Sequence, residues 1–557
     1  MPLRIERRLT GVLVPVFALR GRHDLGIGDV GAVREMTDWC AERGIGVLQL
    51  LPIHETGDDH SPYNAISSIA LDPTALDLSP EALPELTRRD RLRNLKKGEV
   101  EALTEGPVRY REVKALKQRL LRAAFDASTE EGKGKTAKSA AFEAFVKAES
   151  SWLGDYALFR ALMGRNGCGA LWESWPEVHR TPESARAWVA ALPTKARAEF
   201  VREARFHAWV QWVAFRQWTA ARGHARRRGV ALMGDIPFGI GRCSADVWAE
   251  RALFDLRWSC GAPPETFFKP DLFTEKWGQN WGVPLYRWDR MREDGGAWWR
   301  RRVAATARIF DLFRVDHVLG FYRVYAFPWP PQENGDYVHL DLEQAKAKAG
   351  DLPRFWPESD EREESRASNR LHGEAWLRTV LEAAGESGVV AEDLGFVPDY
   401  VRPSLASLAI PGFKIPLFER MTDGAWTPAE SYPPLSVATF ATHDHEPLAA
   451  LWEKWACDPK GALEARRAAD WAGWGKRDLP PTLASELQAA FCRKLLGSPS
   501  WLAAFMITDL LGLKQRFNAP GPMSESNWTE RLPCAVRDLG KEADPAARLA
   551  AIGSLQR

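Results

Sequence analysis

Residues 309–317 read IFDLFRVDH, a short apolar run that ends in two polar residues. Such a run is typical of a strand that is buried on both faces of a parallel sheet. Seven similar runs occur at residues 12–18, 47–53, 230–236, 388–394, 412–418, 437–441 and 503–510. Helical patterns separate several of them, including residues 33–42 and 200–228. This alternation predicts an α/β fold with a parallel sheet.

Eight strands favour a closed (β/α)8 TIM barrel, with an open parallel sheet as the alternative. We predict a single catalytic barrel over residues 1–557, interrupted by helical insertions. Residues 79–203 are rich in Ala, Glu, Lys and Arg and predict a mainly helical insertion between the second and third strands. Residues 453–489 predict a second helical insertion before the eighth strand.

The composition narrows the classes of function. With 75 basic and 74 acidic residues, the formal net charge is +1. A nucleic-acid-binding domain normally carries a clear basic excess, so we expect no nucleic-acid partner. The balance also gives no electrostatic reason to bind an anionic membrane. The chain has 25 tryptophans against 9 tyrosines. We expect most of them in the core and some as flat platforms for sugar rings.

The cysteine spacing and the N-terminal residues indicate the compartment in which the protein works. The seven cysteines are scattered and form no CxxC pair, which suggests neither a zinc site nor a redox motif. Free thiols fit a reducing compartment. The first residues reach charges at once and form no apolar signal core, so we predict a cytoplasmic protein. We also expect no metal and no organic cofactor.

Acidic residues stand at the ends of four predicted strands. Asp235 closes the third, Asp316 the fourth, Glu392 the fifth and Asp444 the seventh. In a β/α barrel, the strand ends and the loops after them build the active site. Buried carboxylates are costly unless they are paired or used. Four acids from separate strands therefore predict one acidic cluster.

Such a cluster suits the chemistry of glycosides. Cleavage with retention needs two carboxyl groups roughly 5–5.5 Å apart, one ionised and one protonated. The ionised group attacks the anomeric carbon, and the other protonates the leaving oxygen and then acts as a base. An arginine near the nucleophile, such as Arg314, keeps it ionised because a positive charge lowers a carboxyl pKa.

Each acid also has a structural interpretation. Asp316 could pair with Arg314, and Asp235 could be a turn residue before Ile-Pro. Glu392 and Asp393 could be an acidic pair at a helix N-terminus, where the helix dipole favours negative charge. The run His443-Asp444-His445 could bind a metal ion, although the sequence places no third ligand. All four interpretations together are less plausible than a single shared site.

The motifs resemble those of 4-α-glucanotransferases of the amylomaltase (disproportionating enzyme) family, in the wider α-amylase clan. The motifs occur in order over about 500 residues, and the order is more specific than any one of them. They are GIGD (26–29), SPYN (61–64), FHAWVQW (206–212), GDIPFGI (234–240), SADVWA (244–249), GQNWGVPLY (278–286), FRVDHVLGF (313–321), AEDLG (391–395), THDHEPL (442–448), NAPG (518–521) and NW (527–528).

The resemblance implies a role for each matching position. It implies that Asp316 is the nucleophile, Glu392 the general acid/base and Asp444 a third acid that holds and distorts the sugar. It further implies a set of substrate-binding residues and maltodextrin, starch or glycogen-derived glucans as substrates. The substrate-binding set is Arg314, His443, Asp235, Tyr63, Trp281, His317 and Phe267.

The chain departs from the family pattern in two places. Residues 265–278 read ETFFKPDLFTEKWG, about twice the usual length of a loop that folds over the site. Thr266 stands where the family commonly has a tyrosine, and the aromatic residues Phe267, Phe268, Phe273 and Trp277 either replace that contact or pack the loop. In THDHEPL, His445 and Glu446 differ from the commoner forms and could alter the pocket rim.

Three functions are compatible with these motifs. The first is transfer of α-1,4-glucan segments between maltodextrins, through a covalent glycosyl-enzyme. The second is hydrolysis by an enzyme of the same clan, since water can attack the same intermediate. The third is a non-catalytic glucan-binding protein, which would be expected to lack a catalytic carboxylate. The resemblance favours transfer, and the sequence leaves the preferred acceptor and the oligomeric state open.

Overall fold

The computed structural model describes residues 7–129, 137–264, 270–519, 526–553 and 555. Twelve strands are present in this part of the chain. They are β1 (Leu9–Leu13), β2 (Val47–Gln49), β3 (Ala231–Ile236), β4 (Phe254–Ala262), β5 (Gln279–Tyr286), β6 (Leu312–Val315), β7 (Val324–Phe327), β8 (Arg354–Trp356), β9 (Gly388–Ala391), β10 (Gly412–Lys414), β11 (Ser436–Thr439) and β12 (Leu502–Met506).

Twenty-one α-helices lie in the same part of the chain. The first eleven are α1 (Val30–Glu42), α2 (Arg88–Asn94), α3 (Glu99–Thr104), α4 (Tyr110–Thr129), α5 (Ala137–Ala148), α6 (Leu153–Arg165), α7 (Pro182–Ala191), α8 (Thr194–Arg227), α9 (Ala245–Ala249), α10 (Leu272–Trp277) and α11 (Trp288–Glu293). The others are α12 (Ala297–Ala307), α13 (Leu319–Tyr322), α14 (Leu342–Ala349), α15 (Glu363–Ala384), α16 (Val401–Ser407), α17 (Leu448–Cys457), α18 (Ala462–Trp471), α19 (Ser485–Gly497), α20 (Ile507–Leu511) and α21 (Ala543–Ile552).

Eight of the strands form the predicted parallel barrel. Their order is β10-β11-β12-β1-β2-β3-β6-β9, and each neighbouring pair is parallel. The amide N–H of Ala391 on β9 donates to the carbonyl of Pro411, next to β10, at 2.9 Å. This bond links the two ends of the sheet, so the (β/α)8 TIM barrel is confirmed and the open sheet is excluded.

Apolar side chains from the barrel strands fill its interior. One buried cluster takes a residue from almost every strand: Val47, Met233, Leu312, Val390, Phe413, Val437, Leu502 and Ala504. Residues on strands alternate between the two faces, so these side chains point inward while their neighbours pack on the surrounding helices. The apolar runs that predict the strands thus reflect burial on both faces.

All eight predicted strands are present, with different ends. The first lies at Leu9–Leu13, earlier than residues 12–18, because Pro15 has no N–H for a strand ladder and residues 16–18 form a 3-10 turn. The last ends at Met506, and its predicted residues 507–510 belong to α20. Short apolar runs do not distinguish a strand from the helix turn that follows it.

Two of the long segments between barrel strands carry runs of helices. Helices α2 to α8 lie between β2 and β3, and α17 to α19 lie between β11 and β12. Among the described residues, no helix is both long enough and apolar enough to span a bilayer.

The structure also contains a second sheet, which the sequence patterns do not predict. It is antiparallel, with the order β5-β4-β7-β8, and its strands come from the chain segments that follow β3 and β6. Residues Phe273, Trp277, Phe327, Trp329 and Tyr337 form its own small core. Strand β5 carries Trp281, so this sheet brings a tryptophan to the barrel mouth.

One buried carboxyl group supports the loop between β11 and α17. Asp509 is 1% exposed, and its Oδ1 accepts the amide N–H of Leu448, the first residue of α17, at 2.8 Å. Its Oδ2 is buried without a hydrogen-bond partner. Burial raises the pKa of Asp509 to about 7, against the weaker effect of the Leu448 hydrogen bond.

We expect Asp509→Asn to remove a pH-dependent loss of stability. An unfolded Asp has a pKa of about 3.9, so the native state favours the protonated form, and stability falls as pH rises from about 4 to 7. Asn cannot ionise, so the variant gains up to about 4 kcal/mol relative to wild type over that range. Chemical denaturation at pH 4.5 and pH 8 measures this difference. Asp458→Asn, at an exposed position after α17, is the control. Parallel pH profiles for D509N and wild type would contradict the expectation.

Candidate active site

The ends of three neighbouring strands bring the predicted acids together. Strands β3 and β6 pair in a register that sets Asp235 beside Arg314. One residue further on, the amide N–H of Asp316 donates to the carbonyl of Ile236 at 2.9 Å. The amide N–H of Glu392 donates to Val315 at 3.0 Å in the same way. Aligned strand ends therefore place Asp235, Asp316 and Glu392 at one mouth of the barrel.

Arg314 connects two of these acids. Its Nε lies 3.0 Å from Oδ1 of Asp235, and its Nη2 donates to Oδ1 of Asp316. Nη2 also lies 3.3 Å from the hydroxyl of Tyr63. The guanidinium is 3% exposed, whereas the side chain of Asp316 is 27% exposed. Arg314 thus holds Asp316 from behind and leaves it accessible from the barrel mouth.

Asp316 and Glu392 differ in their electrostatic surroundings. Burial raises the pKa of Asp316, and the contact with Arg314 acts in the opposite direction. Burial also raises the pKa of Glu392, and the nearby charge of Asp316 raises it further. Of Asp316 and Glu392, it is Asp316 that has Arg314 as a direct ion partner. A proton shared by the two groups is therefore held on Glu392.

Backbone amides hold the carboxylate of Glu392 in place. The N–H of His317 donates to Oε2 at 2.7 Å, and the N–H of Leu394 donates to Oε1 at 3.0 Å. His317 has a φ of 43°, in the left-handed region, which costs about 1–2 kcal/mol for a non-glycine residue. This conformation turns the N–H of His317 toward Glu392. Strain at this position indicates that the position of Glu392 is specified by the fold.

Asp444 approaches from β11, on the other side of the mouth. Its Oδ2 lies 3.2 Å from Nε2 of His443, and its Oδ1 accepts Nδ2 of Asn518 at 2.6 Å. Arg516 donates to its backbone carbonyl. Burial raises the pKa of Asp444, but His443 and Asn518 outweigh it and hold the pKa well below its usual range. Asp444 is therefore ionised, and its side chain is 41% exposed toward solvent.

Aromatic rings line the site between Asp235 and Asp444. Tyr63 stacks on His443 with ring centroids 4.9 Å apart and planes 13° apart. Trp528 lies at 6.0 Å from Tyr63 and 5.8 Å from His443. The hydroxyl of Tyr63 donates to Oδ2 of Asp235 at 2.7 Å. Separately, Trp281 meets the ring of His317 edge to face at 4.7 Å. These rings offer apolar faces beside the acids.

Asp393, next to Glu392, faces away from the site. Its Oδ2 accepts Nε of Arg402 at 2.9 Å, and its Oδ1 accepts the amide N–H of Phe413 at 2.6 Å. A Cβ at Gly412 would lie 2.6 Å from this carboxylate, so glycine permits the approach. Asp393 therefore braces β9 against β10. The acidic-pair interpretation fails for Glu392, because the two side chains have separate partners and neither lies at the N-terminus of α16.

The predicted site residues fall into three groups according to where the structure places them. Phe267 lies outside the described residues, as do Thr266 and Phe268. Phe273 and Trp277 are buried in the core of the second sheet, which favours the loop-packing alternative for these two. The remaining predicted residues meet at the mouth: Tyr63, Asp235, Trp281, Arg314, Asp316, His317, Glu392, His443 and Asp444.

The metal interpretation of His443-Asp444-His445 has no support in the described residues. Nδ1 of His445 faces Thr442, with the amide at 3.1 Å and the hydroxyl at 2.9 Å. His443 is engaged with Tyr63 and Asp444. Nowhere in the described ranges do three or more His, Cys, Asp or Glu side chains converge as ligands.

Three residues that contact the site have no role predicted from the sequence. Asn518 and Arg516 hold Asp444, and Trp528 completes the aromatic cluster. The NAPG and NW motifs contain Asn518 and Trp528, so the motif pattern carried a signal. The residues that these three side chains contact lie more than 70 residues away in the chain, so the sequence spacing does not predict the contacts.

Comparisons with known proteins agree on one family. Residues 14–536 match the 4-alpha-glucanotransferase family. The chain is 31% identical to the 4-alpha-glucanotransferase of Thermus thermophilus, over 94% of this chain and 95% of that protein. It is 30% identical to that of Chlamydia caviae, over 95% of this chain and 91% of that protein. Its fold resembles the amylomaltase of Streptococcus agalactiae solved in complex with acarbose, with a TM-score of 0.76, 23% identity and 99% coverage of both chains.

Proposed function

Since the chain belongs to the 4-alpha-glucanotransferase family, a family of glycosyl-transferring enzymes that act on α-1,4-glucans, we propose that its catalytic residues are Asp316, Glu392 and Asp444. The observation that carries this proposal is the unequal setting of two neighbouring carboxyl groups. Asp316 has Arg314 as a direct ion partner, whereas burial and the nearby charge of Asp316 raise the pKa of Glu392. One group is suited to be an anion and the other to carry a proton.

The first half of the reaction forms a glycosyl-enzyme. A carboxylate oxygen of Asp316 attacks the anomeric carbon, and the bond from that carbon to the leaving glucan oxygen breaks. Glu392 transfers its proton to this oxygen, so the shortened glucan leaves as a neutral alcohol. The ester on Asp316 then holds the transferred segment, with its anomeric configuration inverted.

The second half releases the segment to an acceptor. Glu392, now ionised, takes the proton from a sugar hydroxyl, whose oxygen attacks the anomeric carbon. The ester bond breaks and Asp316 leaves as a carboxylate, which Arg314 stabilises. Two inversions give net retention of configuration. The ionised Asp444, oriented by His443 and Asn518, binds hydroxyls of the sugar at the cleavage point and stabilises positive charge on its ring.

The substrate-binding roles that we propose rest on contacts with the same acids. Tyr63 contacts Asp235 and Trp281 contacts His317, so both rings are available to stack on sugar, and Asp235 orients Tyr63 and Arg314. His443 and His317 contact Asp444 and Trp281 respectively, at positions where they can meet sugar hydroxyls. The proposed glucans are maltodextrins or segments of starch or glycogen. A cytoplasmic location and the role of Phe267 remain predictions from the sequence.

Incubation with maltotriose tests the proposed function. We expect purified protein, without added metal or phosphate, to produce glucose together with chains longer than maltotriose, resolved by oligosaccharide chromatography. The relatives favour this disproportionation over hydrolysis. Glucose and maltose without any longer chain would instead identify a hydrolase. No product from maltotriose, or from maltodextrin with glucose as acceptor, would support a non-catalytic glucan-binding protein.

A further inference from the structure

Few Phe, Tyr or Trp side chains are exposed in the described part of the chain, and their positions relative to the proposed active site are informative. Among the described Phe, Tyr and Trp side chains, the most exposed are Trp281, Phe396 and Phe418, at 37%, 74% and 51%. Trp281 contacts His317, whose amide holds Glu392. Phe418 lies 5.3 Å from the ring of His445, the residue after Asp444. Two of the three thus border the proposed catalytic acids.

Phe396 borders the same site through the backbone. Leu394, two residues before it, donates its N–H to Oε1 of Glu392. The chain then turns sharply, because Gly395 has a φ of 85° and the N–H of Val397 donates to the carbonyl of Gly395 at 3.0 Å. Phe396 is the central residue of this three-residue turn. The turn places the ring at the tip of the loop that supports Glu392.

The exposure of Phe396 has no packing explanation. A ring that is 74% exposed contributes little apolar burial to the folded chain, and a polar residue would serve equally well in the turn. An aromatic face next to a glucan site has a direct use, because sugar rings present C–H groups that stack on it. Phe396 is four positions after Glu392, so even an extended chain would keep their backbones within roughly 14 Å. The turn shortens that distance.

The position of Glu392 decides which glucan Phe396 meets. The general acid faces the oxygen of the leaving chain, and an acceptor later occupies the same side. The loop that supports Glu392 therefore borders the leaving-group and acceptor side of the site. We infer that Phe396 is a stacking platform for the acceptor glucan, a few sugar units from the reacting hydroxyl, and that it favours maltodextrin acceptors over free glucose. The inference rests on the proposed acid/base role of Glu392.

The chemistry of the acceptors makes the inference testable. Glucose occupies only the position next to the scissile bond, so it does not reach a platform further along. Maltotetraose extends past that position and can stack on the ring. Removal of the ring should weaken binding of the long acceptor and leave the short one unaffected. A loss of general structure would instead affect both acceptors.

The experiment compares Phe396→Ala and Phe396→Trp with wild type. Unlabelled maltotriose is the donor, isotopically labelled glucose or maltotetraose is the acceptor, and only elongation of the label is counted. For F396A we expect the KM of maltotetraose to rise about fivefold to tenfold. We expect its kcat, and the KM of glucose, to stay within about twofold of wild type. F396W should restore the KM of maltotetraose, because it restores an aromatic face.

Leu92→Ala is the matched control. Leu92 is 66% exposed on α2, a helix that supplies none of the site residues, so both acceptors should behave as in wild type. Equal changes for both acceptors in F396A, or no change for either, would overturn the inference while wild-type transfer stands. A wild-type protein that elongates neither acceptor would overturn the proposed function itself, and this inference with it.

Discussion

Replacement of Asp316 by asparagine is expected to lower the rate of glucan transfer at least about 10⁴-fold. The amide cannot attack the anomeric carbon, so no glycosyl-enzyme forms and both half-reactions stop. The side chain keeps its shape, and Arg314 retains its partner Asp235, so the fold should survive. Initial rates of maltotriose disproportionation, with thermal unfolding of the same samples, measure the two effects separately.

A matched control separates loss of the nucleophile from loss of an ion pair. Asp255 and Arg257 form an Arg–Asp pair on β4, outside the site, with Nη2 and Oδ2 2.8 Å apart. Asp255→Asn removes the same charge from the same kind of pair and should retain nearly full transfer activity. If folded D316N stays within tenfold of the wild-type rate, Asp316 is not the nucleophile.

Glu392→Gln is expected to lower transfer from maltodextrin about 10³-fold and to trap the intermediate with an activated donor. Glutamine cannot protonate the leaving oxygen of a glucan. Fluoride leaves α-glucosyl fluoride without such a proton, so the ester on Asp316 still forms. Its transfer to an acceptor hydroxyl lacks a base and is slow. Mass spectrometry of E392Q after mixing should find one hexosyl unit on the peptide that contains Asp316.

The same two carboxyl groups predict the pH dependence. Asp316 must be ionised, so the wild-type rate falls as pH decreases through its raised pKa. Glu392 must be protonated, so the rate falls again as pH increases through its own raised pKa. For E392Q with α-glucosyl fluoride, formation of the adduct should lose the alkaline decline and keep the acidic one. An unlabelled Asp316 peptide, or an unchanged alkaline decline, would contradict the role of Glu392.

Part of the site could be predicted because its geometry follows from strand ends. Each barrel strand is a local apolar run, and the residue that closes the run is fixed by chain order. Parallel barrel strands bring their carboxyl ends to one face, so the sequence alone predicts that Asp235, Asp316 and Glu392 lie close together. Only the ends of the runs were uncertain, as the shift of the first strand to Leu9–Leu13 shows.

Other features could not be predicted because they depend on contacts between distant segments. Glu392 and Asp393 are equivalent in the sequence, yet the backbone amides of His317 and Leu394 hold the first, and Arg402 holds the second. Phe273 and Trp277 have the composition of a sugar-binding loop but lie in the core of the second sheet. The strands of the second sheet come from separate loops, and the sequence of one strand contains no periodic pattern that indicates its partner.

The barrel, the acids at its strand ends and the family can be predicted from the chain alone, because apolar periodicity and motif order are local properties of each segment. Which acid keeps its proton depends on the folded structure, because it depends on burial and on the direct contact between Arg314 and Asp316. The exposure of each aromatic residue likewise depends on packing in the folded structure. Phe396 and Phe273 are alike in the sequence, and only packing leaves the ring of Phe396 in solvent and buries that of Phe273.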